Sequence, residues 1–176
     1  MDQRILEKAA RIKLVLLDVD GVMTDGSIIL DSHQGEAKSF HVRDGHGVKL
    51  LKRAGLEVGI ISGRNSSVVS RRAQELGIEI VEQGSLIKLE TYQRIRDQIG
   101  LKDDEIAYLG DDVVDIPVLR EVGLSAAVAD ALEEVKKEAD YTTRLPGGKG
   151  AVRELAEFIL RAQGKWAQLM ERYFQQ

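Results

Sequence analysis

Short apolar runs alternate with amphipathic stretches along most of this 176-residue chain. Such alternation is typical of βαβ units, in which helices cover a mainly parallel sheet. The apolar runs predict strands at residues 12–17, 58–61, 78–81, 106–109 and 124–128. Helices are predicted between and after them, at residues 66–76, 87–99, 131–139 and 151–162. We therefore predict the α/β class, and the length suits a single domain spanning residues 1–176.

The first predicted strand is followed by a different kind of segment. Extended stretches at 27–30 and 37–42 flank the turn-rich residues 31–36, which predicts a β-hairpin flap over residues 27–42. Asp44 is then predicted to cap a helix that runs to residue 54. There is room for this hairpin and one helix before the second strand, and for no larger insertion.

Composition excludes several classes of function. The net charge of −4 gives no basic footprint for nucleic acid, and the absence of cysteine excludes disulfides and thiolate chemistry. No apolar run approaches the ~20 residues of a membrane span. We expect a cytoplasmic protein without nucleic-acid or membrane partners. The apolar residues of the tail, residues 164–176, recur at roughly helical spacing and predict a subunit contact.

Two carboxylates stand at the end of the first predicted strand. Asp18 and Asp20 are separated by one residue and follow a buried apolar run directly. Like charges this close repel each other and require a cation or a shared proton. Open α/β sheets bind their ligands at this edge, outside the carboxyl ends of the strands. The pair is therefore a candidate site.

Other polar groups follow the remaining strands. Ser62 comes after the second strand, Lys88 starts a predicted helix, and Asp111, Asp112 and Asp115 follow the strand at 106–109. Carboxylate oxygens suit Mg²⁺, while a lysine and amide donors suit phosphate. The set predicts magnesium-dependent phosphoryl transfer. The segment 147–150 lacks the upstream glycine and the Ser/Thr of a P-loop, and residues 18–25 do not match an EF-hand.

These residues form an ordered series of motifs. Asp18-Val19-Asp20-Gly21, Ser62, Lys88 and Gly110-Asp111-Asp112-Val113-Val114-Asp115 resemble the four motifs of the haloacid dehalogenase (HAD) superfamily of phosphatases. The resemblance implies Asp18 as the nucleophile and Asp20 as the general acid and base. It implies that Mg²⁺ is held by Asp18, the main-chain carbonyl of Asp20 and Asp111. It further implies that Ser62 and Lys88 stabilise the phosphoryl oxygens, with Asp112 and Asp115 orienting metal-bound waters.

The short insertion resembles the capless members of that superfamily, and within them the phosphatases of 3-deoxy-D-manno-octulosonate (KDO) 8-phosphate. Residues 40–45, 147–154 and 162–165 also match that pattern. The resemblance implies a Rossmann-like three-layer α/β/α fold with a hairpin flap and no cap domain, and a role in lipopolysaccharide biosynthesis. It also implies a homotetramer in which a neighbour's loop and tail close each active site. The substrate contacts that it implies are Asp20, His41, Val42, Arg43, Asp44, Gly45, Lys49, Arg64, Arg72 and Lys88.

Two alternatives remain open at this point. The same chemistry suits a nine-carbon acidic sugar 9-phosphate, because pocket residues and not the motifs set that preference. A receiver-like phosphoacceptor domain also clusters carboxylates with a hydroxyl and a lysine. In receivers, however, the acidic pair and the acceptor Asp lie on different strands, unlike Asp18 and Asp20.

Overall fold

The computed structural model describes residues 2–30, 32 and 35–174. The strands are β1 (Leu14–Leu17), β2 (Ile29–Leu30), β3 (Glu36–Ala37), β4 (Glu57–Ile61), β5 (Ile80–Glu82), β6 (Ile106–Gly110), β7 (Leu124–Ala127) and β8 (Tyr141–Thr142). Six of them form a parallel sheet in the order β5-β4-β1-β6-β7-β8. β2 and β3 pair separately as an antiparallel hairpin.

The helices lie on both faces of this sheet. They are α1 (Gln3–Arg11), α2 (Val42–Arg53), α3 (Ser67–Leu76), α4 (Lys88–Ile99), α5 (Ile116–Leu119), α6 (Glu133–Glu138), α7 (Ala151–Ala162) and α8 (Trp166–Phe174). α7 packs against α1, α2 and α8, while α5 packs against α4 and α6. The predicted three-layer α/β/α architecture is confirmed. Among the residues described, no helix is both long and apolar enough to cross a lipid bilayer.

The two central strands explain why the sequence contains continuous apolar runs. Every residue of β1 and β6 is buried, as expected for parallel strands covered by helices on both faces. Leu17 of β1 is in register with Ile60 of β4 and with Leu109 of β6. The carboxyl ends of these three strands therefore lie side by side at one edge of the sheet. The segments beginning at residues 18, 62 and 111 start from that edge.

The hairpin is shorter than the sequence predicts. Within the described residues its ladder joins Ile29 with Ala37 and Leu30 with Glu36, and three of the predicted turn residues (31, 33 and 34) lie outside them. Val42, expected to end the second hairpin strand, begins α2 instead. The apolar face of α2 is buried in the core, which favours a longer helix over a longer ladder. In the described part of the segment between β1 and β4, no cap domain is present.

The prediction that Asp44 caps its own helix is wrong. α2 begins two residues earlier, and the Asp44 carboxylate accepts hydrogen bonds from the backbone N–H of Gly150 (3.1 Å) and Arg153 (2.8 Å). These donors belong to the amino-terminal end of α7. The capping chemistry is therefore used across the fold, where it fastens α7 to α2. Burial raises the pKa of Asp44, although the two hydrogen bonds oppose that shift.

Some elements were missed or shifted. α1 and β8 were not predicted, and the strand expected at 78–81 is observed as Ile80–Glu82. β8 has only two residues, which is too short for any hydrophobic period to show. α1 begins with an Asp2 cap on the backbone N–H of Arg4, a signal that sequence reasoning overlooked. The helical spacing predicted in the tail is confirmed by α8.

Candidate active site

The loop after β1 places Asp18 at the carboxyl edge of the sheet. The backbone N–H of Asp18 still pairs with the carbonyl of Leu109 (3.1 Å), so the residue continues the β1–β6 ladder. The chain then turns back on itself, because the carbonyl of Val19 accepts hydrogen bonds from the N–H groups of residues 22, 23 and 24. Asp18 is buried, with 6% of its surface exposed. Its carboxylate is thus held at a fixed point beside the end of β6.

Three carboxylates meet at this point. One oxygen from each of Asp18, Asp111 and Asp115 lies within 4.8 Å of the other two. Asp115 is fully buried, and its Oδ1 accepts hydrogen bonds from Lys88 Nζ (2.6 Å) and the hydroxyl of Tyr108 (2.6 Å). Its Oδ2 accepts from the backbone N–H of Asp111 (2.9 Å) and Asp112 (3.3 Å). Asp115 therefore holds the loop that carries Asp111.

The electrostatics of the cluster favour a bound cation. The pKa of Asp18 is raised to about 6 and that of Asp111 to about 8, first by burial and then by the neighbouring carboxylates, while Lys88 opposes both shifts. Asp111 Oδ1 is buried and has no hydrogen-bond partner among the residues that the structure describes. A free buried carboxylate oxygen beside two further carboxylates is a donor set that suits Mg²⁺. The residues present therefore fit a divalent cation.

Lys88 neutralises part of this charge. It is the first residue of α4, and its Nζ lies 2.8 Å from Asp18 Oδ1 and 2.6 Å from Asp115 Oδ1. Burial lowers the pKa of Lys88, but the two carboxylates outweigh that effect and the pKa lies above its ordinary value. Lys88 also donates to the Tyr108 hydroxyl (3.3 Å). Tyr108 was missed in the sequence, where an aromatic residue with a polar tip inside the apolar β6 was the available signal.

Asp20 lies outside the three-carboxylate cluster. Its Oδ1 accepts a hydrogen bond from Lys38 Nζ (2.5 Å), and its Oδ2 lies 3.8 Å from Arg64 Nε. Its side chain is more exposed than that of Asp18, at 22% against 9%. The two acidic residues of the first motif therefore face different partners. Lys38 was not predicted as a site residue, and neither was Glu36, which pairs with it.

Ser62 follows β4 at the same edge of the sheet. It is buried, and its Oγ accepts a hydrogen bond from the backbone N–H of Arg64 (3.3 Å). Its own N–H donates to the carbonyl of Glu82 (2.9 Å), and its carbonyl accepts from the N–H of Ser85 (3.0 Å). Because Ile60 of β4 is in register with Leu17 of β1, Ser62 lies at the same edge of the sheet as Asp18.

A glycine loop packs directly against the segment after Asp20. The N–H of Gly148 donates to the carbonyl of Val22 (2.9 Å). A Cβ at Gly147 would stand 1.7 Å from the carbonyl oxygen of Gly21, and a Cβ at Gly21 would stand 2.1 Å from Asp111 Oδ2. No side chain fits at either position. Glycine is therefore required at position 147, where the loop 147–150 packs against the backbone that follows Asp20.

The other predicted contacts do not gather around the carboxylates. Asp112 is exposed, and its carboxylate accepts from the N–H of Val113 instead of facing the cluster. Asp44 is turned into α7, as described above. Arg72 pairs with Glu75 (3.2 Å), stacks on Phe40 and packs against Gly45.

The remaining candidates on α2 and at its start are similarly dispersed. Val42 is 82% exposed, and Lys49 is exposed on the outer surface of the helix. His41 Nδ1 lies 3.8 Å from Asp44 Oδ2. Arg43 lines a cavity of about 740 Å³ together with Arg144, Lys149 and Arg153, away from the three-carboxylate cluster. Among the predicted cations, Lys88 contacts that cluster and Arg64 approaches Asp20.

Comparison with known proteins agrees with this geometry. Residues 78–155 match the model of the haloacid dehalogenase-like hydrolases. The chain is 44% identical over 161 residues to the 3-deoxy-D-manno-octulosonate 8-phosphate phosphatase of Escherichia coli K12, covering 92% of this chain and 86% of that protein.

Solved structures give the same result. The phosphatase of that name from Yersinia pestis superposes with a TM-score of 0.93 at 42% identity, covering 95% of this chain and 90% of the other. The Moraxella catarrhalis enzyme, solved with a magnesium ion, a phosphate ion and KDO, gives a TM-score of 0.96 at 40% identity, with 98% and 99% covered. The chain belongs to the haloacid dehalogenase-like hydrolases, within the family of the 3-deoxy-D-manno-octulosonate 8-phosphate phosphatases.

Proposed function

We propose that this chain is a Mg²⁺-dependent phosphatase that hydrolyses KDO 8-phosphate to KDO and phosphate, in lipopolysaccharide biosynthesis. The observation that carries the proposal is the buried cluster of Asp18, Asp111 and Asp115 with Lys88, set at the edge where parallel sheets bind ligands. The similarity to an enzyme solved with magnesium, phosphate and KDO supports the substrate.

In the first half-reaction, an oxygen of Asp18 attacks phosphorus. The bond from phosphorus to the sugar oxygen breaks, and an aspartyl phosphate forms on Asp18. Asp20 gives its proton to the departing sugar oxygen. Fixing the nucleophile by burial and by the Lys88 ion pair removes the cost of orienting it during the reaction.

In the second half-reaction, Asp20 takes a proton from a water molecule, whose oxygen attacks the aspartyl phosphate. The bond between Asp18 and phosphorus breaks, which releases phosphate, regenerates the Asp18 carboxylate and leaves Asp20 protonated for the next turnover. Lys88 and the Ser62 hydroxyl stabilise charge on the phosphoryl oxygens throughout. Asp18, Asp111 and the main-chain carbonyl of Asp20 would hold Mg²⁺, which would supply positive charge to neutralise the substrate phosphate and the carboxylates. Asp115 orients Lys88 and the Asp111 loop.

The direct test is phosphate release with Mg²⁺ from a panel of phosphate esters. KDO 8-phosphate should give a higher kcat/KM than a nine-carbon acidic sugar 9-phosphate and than simple phosphomonoesters. A higher kcat/KM for the nine-carbon substrate would support the phosphatase reaction but contradict KDO 8-phosphate as the preferred substrate. An acyl phosphate that persists for many minutes without turnover would instead favour a phosphoacceptor domain.

We also propose a homotetramer, in which a neighbour's loop and tail close each active site, and a cytoplasmic location. Exposed apolar residues on the hairpin support the assembly: Ile28 and Ile29 are each 51% exposed, and Leu30 is 72% exposed. The dispersed positions of Arg43, Lys49 and Arg72 are consistent with contacts made to a neighbour's substrate. Light scattering of the wild type and of Leu30→Asp tests this. A fully active monomer would contradict it.

A further inference from the structure

A lysine from the hairpin is buried against the predicted acid and base of the reaction. Lys38 lies directly after β3, in a segment whose neighbours Ala37 and Ser39 are exposed. Its side chain is nevertheless only 1% exposed, and its Nζ lies 2.5 Å from Asp20 Oδ1 and 3.3 Å from Glu36 Oε1. Burying an ammonium group costs free energy unless the group is paired, so the two carboxylates are what allow Lys38 to be buried here.

Glu36 fastens the hairpin to the loop after β4. Its Oε1 accepts a hydrogen bond from Arg64 Nη2 (3.2 Å), and its Oε2 accepts from the hydroxyl of Ser66 (2.5 Å). Ser66 is the residue that caps α3. The hydrogen bond from Ser66 and the pairing with Lys38 lower the pKa of Glu36, so the carboxylate is ionised at neutral pH. The contacts of Glu36 with Arg64 and Ser66 therefore hold the hairpin in place next to the Lys38–Asp20 ion pair.

These contacts divide the two aspartates of the first motif between two supports. Asp18 is held by Lys88, whereas the Asp20 carboxylate is held by Lys38 and, more distantly, by Arg64. The ion pair with Lys38 Nζ fixes Asp20 Oδ1, while Asp20 Oδ2 lies on the side of Arg64. We propose that Lys38 is the positioning residue of Asp20, and that Glu36 sets the place of Lys38. This proposal rests on the proposed phosphatase function.

The test separates a positioning role from a merely structural one by changing the leaving group. A sugar alkoxide needs a proton from Asp20 to depart, whereas the phenolate of para-nitrophenyl phosphate does not. The value of kcat/KM reports steps up to the release of the leaving group, before water attacks. Lys38→Met should lower kcat/KM for a sugar phosphate about 100-fold, because positioned acid–base catalysis contributes at least that factor. For para-nitrophenyl phosphate the change should stay below about 3-fold, because the departure of its phenolate does not depend on a proton from Asp20.

Two further variants complete the series. Lys38→Arg, which keeps the charge, should recover part of the loss, and Glu36→Gln should show the same selectivity at smaller size. Lys13→Met is the matched control, since Lys13 pairs with Glu105 (2.6 Å) at the opposite end of β1. Thermal melts of each variant show whether it is folded.

An equal loss for both substrates in a folded Lys38→Met variant would overturn the proposal, because it would indicate contact with the phosphoryl group. No loss for either substrate would also overturn it. The comparison uses whichever sugar phosphate the wild type hydrolyses best. A wrong substrate would therefore be recognised separately, from the wild-type panel alone.

Discussion

The three-carboxylate cluster and the cationic residues around it are built on different principles. Asp18, Asp111, Asp115 and Lys88 are buried or half-buried and come from segments that meet at the ends of β1 and β6 and at the start of α4. Of the predicted substrate contacts, two lie on α2, one on α3 and one in the loop after β4: Arg43, Lys49, Arg72 and Arg64 in that order. Arg43 lines a separate cavity, Lys49 is exposed and Arg72 pairs with Glu75. One folded chain therefore assembles the groups for phosphoryl transfer, while the groups for recognising the sugar are dispersed over its surface.

Removing the nucleophile should have the largest effect. Asp18→Asn keeps the volume of the side chain but removes the attacking oxygen charge, so turnover should fall on the order of 10³-fold or more. Without metal, the Asp18→Asn variant should be at least as stable as the wild type, because one of the mutually repelling carboxylates has been removed from a buried site. Phosphate release and a thermal melt check the two expectations. Full turnover in a folded variant would show that another group attacks.

Removing Lys88 should affect both activity and stability. Lys88→Met leaves the carboxylates of Asp18 and Asp115 without their buried partner, and breaking such a pair costs about 3–5 kcal/mol. Turnover should fall about 10²–10³-fold, because charge stabilisation at the phosphoryl group is lost. Urea unfolding and kinetics measure both. Lys136→Met is the control, because Lys136 pairs with its neighbour Glu133 on α6. Equal turnover and equal stability of the two variants would contradict a role for Lys88 in the site.

A change at the surrounding cations should be smaller and selective. Arg64→Ala should lower kcat/KM about 10-fold for an acidic sugar phosphate, the value of one charged hydrogen bond. It should have less effect on a neutral sugar phosphate, which lacks the carboxylate. Arg94→Ala is the control, since Arg94 pairs with Glu82 and is similarly exposed (51% against 46%). An equal loss of kcat/KM on both substrates would indicate that Arg64 acts through its contact with Asp20 and does not bind the substrate carboxylate.

The smallest effect is expected in the pH dependence of stability. The pKa values of Asp18 and Asp111 are raised in the fold from 3.8 to about 6 and about 8, so metal-free protein should lose stability as pH rises from about 4 to about 8. Saturating Mg²⁺ should offset this loss, and at 100 times its Kd a ligand adds about 2.7 kcal/mol. The increase in Tm caused by Mg²⁺ should therefore be larger at about pH 8 than at about pH 6. Asp111→Asn should weaken this dependence, and an unchanged one would contradict the cluster as the metal site.

The sequence predicted the sheet and the positions around it, because buried parallel strands leave continuous apolar runs and their ends share one edge. That argument placed Asp18, Ser62, Lys88 and Asp111 correctly at the carboxyl edge. It could not place Lys38 or Glu36, since a lysine in an exposed hairpin gives no sign that it will be buried against Asp20. It also assigned Asp44 to the wrong helix, because a capping carboxylate can serve any helix start that the fold brings near it.

The central claim is that Asp18 carries the phosphoryl group while the substrate turns over. Rapid acid quenching during hydrolysis of the preferred sugar phosphate, followed by peptide mass spectrometry, tests it directly. We expect a phosphoryl adduct on Asp18 that forms and decays within the turnover time, and that is absent when Mg²⁺ is removed. Turnover without any adduct on Asp18, or with the phosphoryl group on another residue, would contradict it.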